Sequence, residues 1–235
     1  MDRGMDKTTL RRTLLIIAVA WCCTATWAQQ REAWRDSLEQ ATALVRKFPE
    51  DNDLRLRKAS WNMMLEQWEY AKKEYDLILE RDSNNVAALY FRAYVYEKTH
   101  RYKFARKDYL NMLKIVPGNF NGMLGLALLN QKDLRYTEAM DMANQLIQLY
   151  PDSAVAYAVR GGMEEERGMM EVAEYDYSEA IRHDPDNTDY LLRRADLRIR
   201  MGNKRGAKED LDTAVAKGLP RPTLADLYAR CKERE

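Results

Sequence analysis

The sequence predicts an all-α fold, a solenoid of repeated helix-turn-helix units. Pro117, Pro151 and Pro185 stand 34 residues apart. Two series of small residues share that period without insertion or deletion: Ala59, Ala93, Ala127, Gly161 and Ala195 form one, and Ala71, Ala105, Ala139, Ala173 and Ala207 form the other. A fixed period of this length indicates a repeat architecture, in which each unit packs mainly on its neighbours.

Each repeat is predicted to contain two helices that meet at these small residues. In the second helix, large or small apolar residues follow each alanine after four and seven positions, a spacing that places them on one helical face. They are Tyr75, Tyr109, Ala143, Tyr177 and Leu211, followed by Ile78, Met112, Leu146, Ala180 and Ala214. Small residues on both helices let the backbones approach closely, so we expect a continuous core between them.

These residues resemble the tetratricopeptide repeat family. Ala173, Tyr177 and Pro185 match its signature of a small residue, an aromatic residue four positions later and a terminal proline. The resemblance covers five repeats, at 52–85, 86–119, 120–153, 154–187 and 188–219. It implies a right-handed superhelical solenoid in which the first helices of the repeats line a concave groove.

Half-repeats are predicted at both ends of the stack. Trp34 and Leu44 keep the phase of the second helix, so we expect residues 29–51 to form an N-terminal capping helix. Ala229 continues the phase of the first helix, so we expect residues 220–235 to form a C-terminal capping helix. Terminal units of this kind cover apolar faces that would otherwise be bare.

The first 28 residues have the pattern of a secretory signal peptide. Basic residues precede an uncharged stretch, 13–28, that ends in small residues. We expect cleavage after Ala28 and therefore export. An uncleaved membrane anchor and a lipid attached at Cys22 remain alternatives. Both rank lower, because the stretch is shorter than a membrane-spanning helix and Trp21 stands where a lipoprotein has a small residue.

Charge and cysteine content limit which compartments and which classes of partner are possible. The formal charge of +1 gives no broad basic surface for nucleic acid. Cleavage would leave Cys231 as the one cysteine, so the mature chain would have no internal disulfide. Together with the lack of an N-glycosylation motif, this favours a bacterial periplasm. We expect a protein or peptide ligand, no nucleic acid and no membrane insertion of the mature chain.

Charged residues in matching phase predict an ion pair between the two helices of a repeat. In four repeats a basic residue of the first helix is followed sixteen positions later by an acidic residue of the second: Lys58 with Glu74, Arg92 with Asp108, Arg160 with Asp176 and Arg194 with Asp210. In the third repeat both positions are apolar, Leu126 and Met142. Because buried ion pairs tolerate joint replacement by apolar residues, we interpret the pairs as structural.

No set of residues in the sequence predicts catalysis, a metal site or a cofactor. His100 and His183 fall near helix ends in different repeats, without a cysteine or second histidine at ligand spacing. Gly161 and Gly162 lie inside a predicted helix with no strand before them, so they do not form a phosphate loop. We expect a non-enzymatic protein with no catalytic residue, no metal and no cofactor.

The resemblance implies a ligand groove, and this chain places apolar, aromatic and small residues in it. Carried over position by position, they are Tyr90, Phe91, Tyr94, Leu124, Leu128, Ala158 and Gly162. Some members of the family hold a peptide carboxylate with Lys and Asn at these positions, which this chain lacks. The small residues Ala158 and Gly162 are expected to open a pocket beside the aromatic patch. The opposing interpretation is that a self-contact buries the patch.

We therefore predict an exported scaffold that binds a protein or peptide segment in its groove, with a role in cell-envelope assembly. The alternative is a structural module that self-associates through its ends or through Cys231. Glycines cluster around the first helix of the third repeat, at Gly118, Gly122 and Gly125. Because glycine weakens a helix, we expect the stack to bend most easily there.

Overall fold

The computed structural model describes the backbone of residues 7–232, with side chains from residue 27 onward. Within that range the fold is all-α. The helices are α1 Lys7–Lys47, α2 Asn52–Met64, α3 Trp68–Arg81, α4 Val86–Lys98, α5 Tyr102–Ile115, α6 Phe120–Lys132, α7 Tyr136–Leu149, α8 Ala154–Glu166, α9 Met170–His183, α10 Thr188–Arg200, α11 Lys204–Ala216 and α12 Ala225–Arg230. The chain divides into two compact units after Arg101. The first unit contains α1–α4, the second contains α5–α12, and each is described by itself.

The first helix of each repeat begins at a side-chain cap that recurs with the period of the chain. The capping residues are Asp51, Asn85, Asn119, Ser153 and Asn187. Their side-chain oxygens accept hydrogen bonds of 3.0–3.2 Å from backbone N–H groups two or three residues later. A cap of this kind stabilises a helix by about 1 kcal/mol. The sequence therefore fixes where each first helix begins.

The first helix of each repeat ends in a left-handed turn. The turn residues are Glu66, His100, Leu134, Gly168 and Gly202, with φ between 57° and 80°. In the third repeat the Leu134 N–H donates to the carbonyl of Gln131 at 3.0 Å, and the next N–H bonds back five residues at 2.8 Å. This pair of bonds satisfies the last carbonyls of the helix. Leu134 is strained in this role, because a side chain disfavours a left-handed φ.

The core follows the faces that the repeat pattern predicts. In the first unit it contains Ala59, Ala71, Tyr75, Ile78 and Val95, all fully buried. In the second unit the equivalent positions of the second helices are also buried: Ala105, Tyr109 and Met112, then Ala139, Ala143 and Leu146, then Ala173, Tyr177 and Ala180, and finally Ala207, Leu211 and Ala214. The predicted fold class, an all-α solenoid of helix-turn-helix repeats, is confirmed.

Three of the four predicted ion pairs lie within one unit, and all three form. The N···O distances are 2.6 Å for Lys58–Glu74, 2.7 Å for Arg160–Asp176 and 2.6 Å for Arg194–Asp210. Arg160 and Arg194 each donate two hydrogen bonds to their carboxylate. The Asp176 side chain is fully buried. The first and second helices of these repeats are thus joined by a charged contact beneath the surface.

The same basic positions also reach back to the second helix of the preceding repeat. The Nη1 contacts are Arg92 with Asp76 at 2.8 Å, Arg160 with Asn144 at 3.0 Å and Arg194 with Ser178 at 2.8 Å. This contact was not predicted, although the residue sixteen positions before each of these bases is polar. Each of these arginines contacts the second helix before its own repeat, and at least Arg160 and Arg194 bridge two second helices.

Three apolar residues replace this arrangement in the third repeat. Leu110, Leu126 and Met142 occupy the equivalent positions and line a shallow hollow of about 260 Å³. Leu126 is buried, whereas Leu110 is 43% exposed. The arginine found at this position in the following repeats is therefore replaced by leucine, and the contact between the second and third repeats combines these apolar residues with hydrogen bonds from Arg106 to Asn130 and Asp133.

The glycines inside α6 are explained by close packing. A Cβ atom on Gly125 would lie 2.6 Å from the ring of Tyr109, and one on Gly122 would lie 3.1 Å from Leu113. Neither position has room for a side chain without movement of a neighbour. The glycines therefore do not by themselves indicate a hinge in the third repeat.

The terminal helices differ in extent from the predicted caps. Helix α1 begins at Lys7 and continues into the predicted cap, because no Gly or Pro interrupts it. Helix α12 has only six residues, since Pro220 and Pro222 confine the preceding residues to a 3-10 turn, Arg221–Leu224.

Residues 1–6 and 233–235 and the side chains of 7–26 lie outside the described part, and most of the predicted signal peptide falls there. No described helix is both long enough and apolar enough to cross a membrane.

Candidate functional site

The predicted groove residues of the first unit form an aromatic cluster on α4. Phe91 stacks on the buried ring of Tyr75, with centroids 6.1 Å apart, and meets Tyr90 edge to face at 5.3 Å. Tyr94 meets Trp68 edge to face at 6.5 Å. Phe91 is 38% exposed, and Tyr90 and Tyr94 are half-buried. The cluster joins α3 to α4 and still presents an aromatic edge to solvent.

Three of the four predicted groove residues of the second unit line one hollow of about 360 Å³. Leu128 comes from α6, Ala158 and Gly162 from α8, and Tyr190 and Arg193 from α10. These helices are the first helices of three successive repeats. The hollow, called the α8 hollow below, is therefore on the face that the sequence analysis singled out.

The α8 hollow owes its depth to small residues. A Cβ atom on Gly162 would meet only the Tyr177 hydroxyl, at 3.6 Å, so the space beyond it is open. The equivalent positions in the neighbouring repeats hold Leu128 and Asp196. Small residues therefore occur on α8 where the flanking repeats have larger ones.

Leu124 has a different environment from the other predicted groove residues. It is half-buried and packs against the core residues Met123, Leu146 and Ala156. It does not line the α8 hollow. Leu124 consequently supports α6 from the core side rather than forming the floor of the site.

Charged residues border the α8 hollow along α10. Asp189 and Arg193 are exposed, and both also border an adjacent hollow of about 430 Å³ next to Glu165 and Asp196. A peptide that lies across Asp189 and Arg193 would contact the apolar floor of the α8 hollow on one side and the carboxylates of Glu165 and Asp196 on the other. Neither Asp189 nor Arg193 was predicted as a site residue, because their neighbours on α8 are not evident from spacing alone.

A buried tyrosine holds one of these carboxylates in place. The Tyr177 hydroxyl donates to Glu165 Oε2 at 2.9 Å, and Arg200 forms an ion pair with the same carboxylate. Burial and the hydrogen bond to Glu165 raise the pKa of Tyr177, so its hydroxyl remains a donor at neutral pH. The edge between α8 and α10 is therefore preorganised.

The described residues do not form a site for metal-dependent chemistry. Within residues 27–232, no group of three or more His, Cys, Asp and Glu side chains could hold a metal ion. His183 stacks on Tyr157 with ring centroids 5.5 Å apart and lies 3.8 Å from Asp152. His100 occupies a left-handed turn. Both histidines thus have structural surroundings at helix ends.

A comparison with protein families matches one repeat of the chain. Residues 122–153 match the model of the family described as Tetratricopeptide repeat. These residues contain most of α6 and all of α7. No curated protein sequence matches the chain.

Solved structures with the same fold cover most of the chain. A tetratricopeptide repeat protein from Parabacteroides merdae is 20% identical, with a TM-score of 0.68 over 88% of this chain and 81% of that one. YrrB, described as a TPR protein with an unusual peptide-binding site, is 21% identical, with a TM-score of 0.57 over 83% and 99%. A thermophilic TPR protein of Thermus thermophilus is 17% identical, with a TM-score of 0.60 over 77% and 98%. At these identities the likeness establishes the fold.

Proposed function

We propose that this chain, a protein of tetratricopeptide-repeat fold, is a non-enzymatic scaffold that binds a protein or peptide segment along the first helices of its repeats. The observation that carries the proposal is the α8 hollow. Leu128, Ala158 and Gly162 give it an apolar floor, and Asp189 and Arg193 give it a charged border. An apolar floor with a few polar groups at its edge suits a side chain of a bound peptide, with the border fixing the peptide backbone.

Two further observations support a protein or peptide ligand. The aromatic edge of Phe91 in the first unit is a surface of the kind enriched at protein interfaces. One structure of the same fold, YrrB, is described as having a peptide-binding site. A peptide ligand is accordingly favoured over a small substrate that requires catalytic groups.

We extend the proposal to the compartment. The signal-peptide pattern of residues 1–28 supports export, and a single remaining cysteine is compatible with the periplasm. We also propose a role in envelope assembly, which a scaffold exported to the periplasm would suit. Mass spectrometry of the protein recovered from its native host tests the first step. A mature chain that begins at Gln29 is expected, and one that still contains residues 1–28 would contradict cleavage.

Self-association through Cys231 has less support. The Cys231 side chain is half-buried and packs against the core around Tyr228. Burial raises the pKa of its thiol, which lowers the fraction of reactive thiolate. A disulfide between two copies would require this packing to open.

Gly162→Leu tests the peptide site without weakening the fold. The new side chain would fill the α8 hollow, while its Cβ atom meets only the Tyr177 hydroxyl at 3.6 Å. Leucine also favours a helix over glycine by about 0.8 kcal/mol. A random peptide library selected against the wild-type protein, with counter-selection against Gly162→Leu, should yield peptides that bind the wild type alone.

The matched control is Tyr175→Ala, which removes a 59% exposed aromatic residue from α9, away from the hollow. It should bind the selected peptides as the wild type does. Selection that enriches no peptide, or peptides that bind Gly162→Leu with unchanged affinity, would refute the proposed site. Melting curves of both variants establish that the fold is intact.

A further inference from the structure

A second cavity lies between α11 and α12, at the C-terminal end of the second unit. Its volume is about 930 Å³. Five basic side chains and no carboxylate are among its lining residues: Lys204, Arg205, Lys208, Arg221 and Lys232. It shares no residue with the α8 hollow. Its occupant is therefore a separate question from the groove ligand.

The floor of this cavity has the shape of a helix-packing surface. In the repeats, one small residue of the first helix lies beneath the second helix: a Cβ atom on Gly161 would come within 3.4 Å of the Ala173 carbonyl oxygen. The equivalent Ala195 is fully buried. On α12 the same position is Ala229, which is exposed and lines the cavity. The cavity thus presents a surface like the one that the second helix covers at Gly161 in the fourth repeat.

The charges at the cavity are only partly neutralised. Arg205 pairs with Glu209 at 3.1 Å, and Arg221 lies 3.7 Å from Asp212. Both pairs are well exposed, so each contributes little. The side chains of Lys208 and Lys232 make no ion pair within the described part of the chain.

Cationic side chains act electrostatically on a thiol that lines the cavity. Cys231 lines the cavity, and its thiol has a pKa that burial raises and that Lys204, Lys208 and Arg230 act to lower. The positive groups therefore act on the same space that Ala229 leaves uncovered. An anionic group placed there would gain from both position and charge.

We infer that this cavity binds an amphipathic α-helix of a partner protein, with small residues against Ala225 and Ala229 and acidic residues toward Lys208 and Lys232. A helix fits this floor, because Ala225 and Ala229 allow the backbone of a second helix to approach closely. The border selects acidic residues by charge complementarity.

A second copy of this chain is a poorer occupant. The segment that a second copy could offer is the later part of α1, residues 31–47, which has the phase of a second helix but no first helix before it in a repeat. That segment carries four basic and three acidic residues, all exposed, so it has no net negative charge to offer. Charge therefore favours a different protein over self-association.

The test uses a display library of helical peptides of 13 or 14 residues, the length of the helices in the repeats, randomised over one face. It is selected against the full chain and counter-selected against Ala229→Arg. Because Ala229 is exposed and arginine is a good helix former, this variant should fold normally while obstructing the cavity. Ala216→Arg, the same change at an exposed site at the end of α11, is the matched control.

The expected result is enrichment of peptides with small residues on one face and Asp or Glu beside them. Their affinity should fall about tenfold in a Lys208→Glu and Lys232→Glu double variant, and should fall with added salt. Ala216→Arg should leave it unchanged. Bound peptide should also slow alkylation of Cys231, read by mass spectrometry at that residue.

Three results would overturn the inference. One is enrichment of neutral or basic peptides, and another is affinity that the double charge reversal does not change. The third is concentration-dependent sedimentation of the wild type that Ala229→Arg abolishes, which would assign the surface to a second copy of the chain. Loss of groove binding in Gly162→Leu does not affect any of these outcomes, so the two proposals fail separately.

Discussion

Replacing Arg160 by leucine should destabilise the fourth repeat strongly, and a second replacement should restore it. Arg160→Leu removes both hydrogen bonds to the Asp176 carboxylate, at 2.7 and 2.8 Å. That carboxylate is fully buried, so it would be left with a charge and no partner. Joint replacement, Arg160→Leu with Asp176→Met, reproduces the pair that the third repeat holds at Leu126 and Met142.

The magnitudes follow from burial. Breaking a buried ion pair on one side costs about 3–5 kcal/mol. Because the Arg160 side chain is 21% exposed, water can approach the carboxylate, and we expect about 3 kcal/mol. The double replacement should come within about 1 kcal/mol of the wild type, since apolar substitution of both partners is often neutral. What remains is assigned to Asn144, which loses its bond from Arg160 Nη1.

Local and global measurements are both needed, because stacked repeats can unfold in parts. Urea unfolding followed by circular dichroism gives the overall stability of the three proteins. Hydrogen exchange of the α8 and α9 amides reports the repeat itself. Adding Asn144→Leu, which matches Leu110, should recover the remaining loss. If the double variant is as unstable as Arg160→Leu alone, the contact does not act as a replaceable unit and the reasoning fails.

Three further substitutions test the backbone and packing assignments, each by its change in the free energy of unfolding. Leu134→Gly should stabilise the protein by about 0.5–1 kcal/mol, because glycine takes the left-handed turn without strain; no gain would mean that the turn is not strained. Gly125→Ala should cost about 1–3 kcal/mol, since its Cβ atom would lie 2.6 Å from the Tyr109 ring. Gly162→Ala should instead stabilise by about 1 kcal/mol, because helix propensity rises and no neighbour obstructs the Cβ atom. Equal effects at the two glycines would contradict the packing assignment.

The repeat pattern predicted the helices and their buried faces because both depend on spacing along the chain. Ala173 and Tyr177 share one face of a helix wherever that helix packs. The ion pair of Arg160 with Asp176 was predictable for the same reason, since its partners are joined through one turn. Its second contact, to Asn144, depends on how one repeat stacks on the next, which the spacing within a repeat does not specify.

The candidate site was predictable only in part. Spacing places Leu124, Leu128, Ala158 and Gly162 on first helices, but it does not say which of them a neighbour covers. Leu124 packs against core residues, whereas the small size of Ala158 and Gly162 leaves a hollow over α8. The left-handed residue Leu134 carried no signal of its own; comparison with Gly168 and Gly202 at the same phase could have found it.

The apolar contact of the third repeat has a consequence for behaviour in the cold. Burial of apolar surface contributes less to stability as temperature falls, because its driving force is largely entropic near room temperature. The contact made by Leu110, Leu126 and Met142 depends on that force, whereas the arginine contacts of the following repeats depend on charge-assisted hydrogen bonds. Arg106 adds hydrogen bonds to Asn130 and Asp133 beside these residues, so cooling should weaken the apolar part of this contact more than it weakens the arginine contacts of the following repeats.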